Sequence, residues 1–251
     1  MLTEVPPDER EPLRPLFAGF PGLHGCLDAI FEGTAGIAWA DDSARPSVAL
    51  LQLDFDFLAG DASQQAAEHA VRQLEPPVSL AVSSVDWEPL LRRVWGDRLS
   101  AYTREAFRPG DWDRARLAGF VAALPEGYTL LRIDAANVGR FAKLADSLVY
   151  NFPSHDDFLA RGVGFGVEHQ GRFVSGCSSF TISSRSLEFE IQTHPDFRQR
   201  GLATAAAARM IEHCIDVGLE PCWDAHNPIS AALATKLGFV EPAPYTAYEI
   251  E

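Results

Sequence analysis

The sequence has no apolar run long enough to span a membrane, and no leader of a basic start followed by an apolar stretch. A membrane helix needs about 20 consecutive apolar residues. Met1 to Arg14 is instead polar and rich in proline, unlike a secretory signal, so a cytoplasmic protein is expected. Cysteine is sparse: Cys26, Cys177, Cys214 and Cys222 show no C-x-x-C spacing and have apolar neighbours. They read as buried free thiols rather than disulfides or zinc ligands. The seven histidines are scattered without an H-x-x-x-H pair, so no metal site is expected. Positive charge is also short, with 21 Lys and Arg against 35 Asp and Glu, for a formal net charge of −14. That balance argues against a nucleic-acid surface. It suits a cationic substrate such as an amine, and equally a surface that is acidic only for solubility.

What is present is an ordinary globular composition, 47% hydrophobic and 22% charged over 251 residues, enough for one large domain or two small ones. The most informative stretch is 189–204, Phe-Glu-Ile-Gln-Thr-His-Pro-Asp-Phe-Arg-Gln-Arg-Gly-Leu-Ala-Thr. A short apolar strand enters a basic, glycine-containing turn that opens directly into an alanine-rich helix. A helix N-terminus has unpaired N–H groups, and its dipole favours negative charge. Arg198 and Arg200 add cationic side chains there, and Gly201 removes the Cβ that would keep a phosphate from the main chain. The backbone of Gln199 to Thr204, through Arg200, Gly201, Leu202 and Ala203, is therefore expected to hold a pyrophosphate.

Around this turn the second half reads as an ordered series. A strand is expected at Tyr128–Ile133, helical patterns around Val138–Leu148 and from Ser154 as N-cap to Leu159, and strands at Gly162–Glu168, Arg172–Ile182 and Leu187–Thr193. The long helix starting near Arg200 ends at Gly218. Strand Glu220–Asp224 follows, then a helix with Asn227 as N-cap, Pro228 at its first position and Gly238 at its close. The tail through Ile250 supplies the last strands. The alternating glycines Gly162, Gly164 and Gly166 make a strand with one bare face, suited to close packing.

The first 125 residues are less legible. Helices are expected at His24–Phe31, Ser63–Leu74 and Trp87–Trp95, and strands at Gly36–Trp39, Ser47–Leu53 and Val78–Ala81. Leu124-Pro125-Glu126-Gly127 is the expected boundary between an N-terminal α/β domain, 1–125, and a second domain, 126–251.

Arg198-Gln199-Arg200-Gly201-Leu202-Ala203 resembles the coenzyme A signature of the Gcn5-related N-acetyltransferases (GNAT), Gln/Arg-x-x-Gly-x-Gly/Ala. Cys222–Phe239, ending in Lys236-Leu237-Gly238-Phe239, is similar to the second cofactor element of that family. The resemblance implies an α/β fold with a mixed, mostly antiparallel sheet flanked by helices in the second half. The first half is then either a degenerate, cofactor-free copy of that fold or an unrelated α/β cap. The segments 151–159 and 193–197 resemble one branch, which includes self-resistance acetyltransferases acting on zwittermicin A. The resemblance further implies acetyl-CoA as co-substrate and a small amine as acceptor, with no nucleic-acid or membrane partner. The pantetheine arm would run beside Ile191, Gln192 and Thr193, near Asn227 and Ser230, and Tyr150, Asn151, Asp156 and Asp157 would line the acceptor pocket.

Acetyl transfer to an amine needs a proton acceptor. An amine of pKa near 10.4 costs about 4.6 kcal/mol to hold neutral at pH 7. Glu188 and Glu190 alternate on the strand before the turn and share a face, so both are candidates, with Glu190 nearer the turn. The alternative is that both face solvent on an open sheet face. Ala234 stands where the family commonly has a tyrosine acid, so the acid is unassigned. That gap keeps open a second reading, a non-catalytic acyl-CoA-binding or regulatory module.

Overall fold

Branched aliphatics and alanines fill the strands of the N-terminal half and set its layers. In the computed structural model, which describes residues 1–251, the chain separates into two units, 1–106 with 243–251, and 107–242. The first unit contains strand β1 (Thr3–Val5), helix α1 (His24–Phe31), strands β2 (Ile37–Ala40), β3 (Val48–Gln52) and β4 (Phe55–Gly60), helix α2 (Gln65–Gln73), strand β5 (Val78–Val82), helix α3 (Trp87–Trp95) and most of strand β6 (Leu99–Arg108). β1 to β4 pair antiparallel in chain order, and β4 pairs parallel with β5. Residues Ala247–Ile250 return to pair antiparallel with β5. Leu50, Leu58, Val71, Leu80, Trp87 and Leu91 pack together under α2 and α3. Each such fully buried aliphatic side chain contributes about 1.5–3 kcal/mol relative to exposure.

The second unit contains helix α4 (Arg114–Ala122), strand β7 (Tyr128–Arg132), helices α5 (Val138–Ala142) and α6 (His155–Arg161), strands β8 (Gly164–His169), β9 (Arg172–Ile182) and β10 (Ser186–Thr193), helix α7 (Leu202–Val217), strand β11 (Glu220–Ala225), helix α8 (Pro228–Leu237) and the start of strand β12 (Val240–Ile250). β7 to β10 pair antiparallel in order, and β10 pairs parallel with β11. The result is a mixed, mostly antiparallel α/β sheet. One face meets α4 and α7, through Phe165, Val167, Cys177, Leu117, Met210 and Ile211. The other meets α5 and α6, through Ile133, Phe141, Leu148, Phe152 and Phe158. Ala205 to Ala208 are all fully buried, so α7 lies close on the strands. The bare strand face is filled by rings: a Cβ at Gly176 would run into Phe141, and one at Gly166 would stand 2.5 Å from Phe173.

The chain from β1 to β6 and again from β7 to β12 follows one succession: strand, helical segment, three strands, helix, parallel strand, helix, strand. No helix is long and apolar enough to cross a membrane. The expected helix around Val138–Leu148 is two pieces, α5 and a 3-10 turn at Asp146–Leu148. It stops because Leu144 N–H bonds back to the Phe141 carbonyl at 3.0 Å, an i to i−3 step. The tail forms one strand, β12, rather than several. Pro125 lies inside the second unit, since Leu117 of α4 belongs to the α7 core.

Candidate active site

The chain leaves β10 through a 3-10 turn at Pro195–Phe197, where the His194 ring accepts the Asp196 N–H. Gln199 (φ 62°) and Gly201 (φ 77°) are both left-handed, and together they bend the backbone into α7. Gly201 is the N-cap and supplies no side-chain bond, and the first helical bond runs from Ala205 N–H to the Gly201 carbonyl. The N–H groups of Leu202, Ala203 and Thr204 thus precede the helical ladder. A Cβ on Gly201 would meet nothing within 4 Å, so the approach to these donors is open. Arg198 Nε donates to the Thr193 carbonyl at 3.4 Å. Arg200 donates to Tyr128 Oη at 2.9 Å and to the Asp196 carbonyl at 3.1 Å, with its guanidinium 5.2 Å from the Phe197 ring centre. Arg198 is thus tied to the end of β10, and Arg200 both to the turn and to Tyr128 of β7.

β10 and β11 share only three residue pairs, Ser186–Glu220, Leu187–Pro221 and Glu188–Cys222. β10 nevertheless continues along β9 as far as Thr193 opposite Ser175. From Phe189 to Thr193, therefore, including Ile191 and Gln192, the strand has no partner on its β11 side. An open edge of this kind can take an extended amide-bearing chain. Across the opening stand Trp223 of β11, whose ring is 5.7 Å from Phe189, and α8. Trp223 Nε1 donates to Ser230 Oγ at 3.1 Å. Asn227 Oδ1 accepts from Ile229 N–H and Ser230 N–H, both at 3.0 Å, so Asn227 caps the helix as expected. The first unit has no such opening. β4 and β5 pair from Phe55–Ser79 to Leu58–Val82, and Ser83 N–H then bonds the Leu58 carbonyl at 2.9 Å. The turn after β4 is held by Asp61, which accepts from Ser63 and Gln64.

Phe180 is an extra residue in β9, a bulge opposite the Glu188–Phe189 step. β10 itself alternates regularly there: Phe189 and Ile191 pack into the α7 core, which puts Glu188, Glu190 and Gln192 on the α5–α6 side. Neither glutamate lies on an open solvent face. Glu188 is 3% exposed and Glu190 is half-buried. Glu190 Oε1 accepts from Ser147 Oγ at 2.7 Å and from Gln192 Nε2 at 2.8 Å. Asn151 Nδ2 donates to the Phe180 carbonyl at 3.1 Å, and Tyr150 packs edge-on against the Phe180 ring. Asp157 is paired with Arg161, which holds its carboxyl below the usual range. Burial, with Cys214 and Glu190 adding to it, pushes the Cys177 thiol well up. A neutral buried thiol is not a nucleophile. Ala234 is fully buried in the core.

Ile191, Gln192 and Thr193 thus line the open edge, Arg198 to Thr204 form the turn, and Asn227 and Ser230 stand on α8. Sequence reasoning missed Ser147 and the Phe180 bulge, because both act through partners 43 residues or a strand away.

A family model described as GNAT acetyltransferase matches residues 14–248. The chain is 30% identical over 227 residues to a Bacillus subtilis protein named as the uncharacterized N-acetyltransferase YdfB, covering 85% of each. A crystal structure of a GCN5-related N-acetyltransferase-like protein from Streptococcus suis superposes with a TM-score of 0.86 at 32% identity, over 97% of this chain and 99% of that one. A tandem GNAT protein from the clavulanic acid biosynthesis pathway shares the fold at a TM-score of 0.58 and 13% identity, over 99% of this chain and 97% of that one.

Proposed function

The chain belongs to the GNAT acetyltransferase family and is an N-acetyltransferase, and from that premise we propose that it moves an acetyl group from acetyl-CoA to the primary amine of a small molecule. The observation that carries this reading is the parting of β10 from β11 after Glu188, next to an uncapped, open α7 N-terminus. Main-chain donors at Leu202, Ala203 and Thr204, with Gln199 and Gly201 shaping the turn, hold the pyrophosphate. Arg198 and Arg200 add positive charge nearby. The free edge at Ile191, Gln192 and Thr193 takes the pantetheine amides, with Asn227 and Ser230 on the other wall. Acetyl-CoA supplies the activated acetyl thioester.

The chain's own residues do the rest. Glu190 takes the amine proton, directly or through one water, with Glu188 as the second candidate. Main-chain N–H groups on the β10 edge face the developing negative oxygen. No covalent acyl-enzyme is needed, and the neutral Cys177 is not suited to one. Ser230 Oγ accepts from Trp223 on the wall of the opening, and a thiolate whose thiol pKa is about 8.5 leaves without a dedicated acid.

The first unit is a cofactor-free copy of the same fold. Its matching strand order supports this, as do its zipped β4–β5 pair and Asp61-held turn, which offer no opening like that beside β10. The tandem GNAT likeness is in keeping with that reading. The cofactor and catalytic residues all fall within 126–251, the half we assign to acetyl transfer. We place the chain in the cytoplasm and in the branch that includes the zwittermicin A self-resistance enzymes, on the 151–159 and 193–197 segments. A panel of amines assayed for thiol release from acetyl-CoA tests the function. Turnover with at least one small primary amine is expected. Binding of acetyl-CoA without release above the rate of hydrolysis, across the whole panel, favours a regulatory module.

A further inference from the structure

We propose that Ser147 is a positioning residue that holds one oxygen of the Glu190 carboxylate, so that the segment between α5 and α6 decides which oxygen receives the substrate proton. The inference rests on the reading of Glu190 as proton acceptor. Ser147 lies 43 residues before Glu190 in sequence, yet its hydroxyl donates to Oε1 at 2.7 Å. Gln192 Nε2 donates to the same oxygen at 2.8 Å. With both donors on Oε1, Oε2 is the oxygen left to take a proton. A carboxylate so held has a fixed plane.

The segment that carries Ser147 is itself fixed. Leu148 is fully buried in the core with Phe141 and Phe152. Val149 N–H bonds the Asp146 carbonyl at 3.0 Å, closing the 3-10 turn. Four residues after Ser147, Asn151 Nδ2 bonds the Phe180 carbonyl at the β9 bulge. The segment is thus tied to the sheet twice, at the carboxylate and at the bulge opposite Glu188–Phe189. Glu188 lies two residues before Glu190 on the same strand, the exposed Asp146 precedes Ser147 in the chain, and Cys177 on β9, whose thiol Glu190 helps to push up, stays neutral. The serine and glutamine are the donors that fix Glu190, and the serine is the one that belongs to another element. A ligand that shifts this segment therefore also shifts the proton acceptor.

The test records the Glu190 side-chain carboxyl signal by carbon NMR in the full chain and measures steady-state turnover in parallel. Ser147→Ala should shift that signal, because a hydrogen-bond donor to the carboxylate is lost. It should lower kcat about tenfold through loss of orientation, with the KM for acetyl-CoA unchanged. Ser147→Thr, which keeps the hydroxyl, should restore both. In a Glu190→Gln background Ser147→Ala should cost nothing further. An unmoved signal in Ser147→Ala, or a full additional loss in the Glu190→Gln background, overturns the positioning role. Full turnover in Glu190→Gln instead removes the proton-acceptor reading, and with it the catalytic meaning of Ser147, while the carboxyl signal still reports whether the serine holds the carboxylate.

Discussion

Glu188 of β10 and Cys222 of β11 form the last parallel pair between these strands. One residue later β9 carries its extra residue, Phe180, and β10 goes on alone on its β11 side. The bulge bends one neighbour of β10 where the other departs, so a local irregularity in pairing becomes an opening at the centre of a sheet. The first unit, in which Ser83 continues the β4–β5 ladder, shows the same strand order closed.

The two glutamates on this strand should separate cleanly by mutation. Glu190→Gln keeps the shape but cannot accept a proton, so turnover at pH 7 should fall by about 10²–10⁴ with little change in coenzyme A affinity. The loss should shrink at high pH, where more amine is already neutral. Steady-state rates of Glu190→Gln and Glu188→Gln across pH 6–9 check this. A large loss in Glu188→Gln alone moves the role to Glu188, and full activity in both means that the proton leaves by another route.

Ser230 is engaged with Trp223 rather than free in the opening. Ser230→Ala should leave the Trp223 indole N–H without its acceptor and lower turnover only a few-fold, with acetyl-CoA binding nearly intact. Tryptophan fluorescence and kcat together test it. A loss above about a hundredfold would give Ser230 the proton-donor role that the buried Ala234 cannot fill.

Asp56 in β4 is 2% exposed, and burial pushes its carboxyl up to about 7 against the lowering effect of the Leu53 N–H and the Gln52 side chain. Asp54 and Glu75 add repulsion. Between about pH 4 and 7 the folded chain therefore keeps a proton that the unfolded chain has lost. Stability should fall as pH rises through that window and level off above it. Asp56→Asn should flatten the slope and raise the Tm at pH 8. Melting curves at pH 5 and pH 8 decide, and an equal pH slope in both proteins would contradict the assignment.

Strong local signals made much of the second half legible. Ser154 and Asn227 as caps, Gly218 and Gly238 as stops, and the full extent of β9 follow from side-chain chemistry within a few residues. β4 and β6 escaped because Asp54 and Asp56 interrupt the apolar run of one, and the other, Leu99–Arg108, has no regular alternation, with Arg104 and Glu105 adjacent in its middle. α4 was missed because Gly119 and a weak apolar face blur its period. At the site, the turn into α7 was readable because its glycine and the start of the alanine-rich helix lie within six consecutive residues. The Ser147–Glu190 bond, the Phe180 bulge and the anchoring of Arg200 on Tyr128 were not, since each depends on residues brought together only by the sheet.

The central claim is that acetyl-CoA binds at the α7 N-terminus and along the opened edge of β10. Calorimetric titration of acetyl-CoA into the wild type and Gly201→Glu tests it most directly. Gly201 has an open approach, so a glutamate there fills the phosphate path and adds like charge. The account predicts one site per chain in the wild type and no measurable binding in Gly201→Glu, with Arg198→Ala weakened to a lesser degree because the main-chain donors remain. Unchanged affinity in Gly201→Glu, or two sites per chain in the wild type, would contradict it.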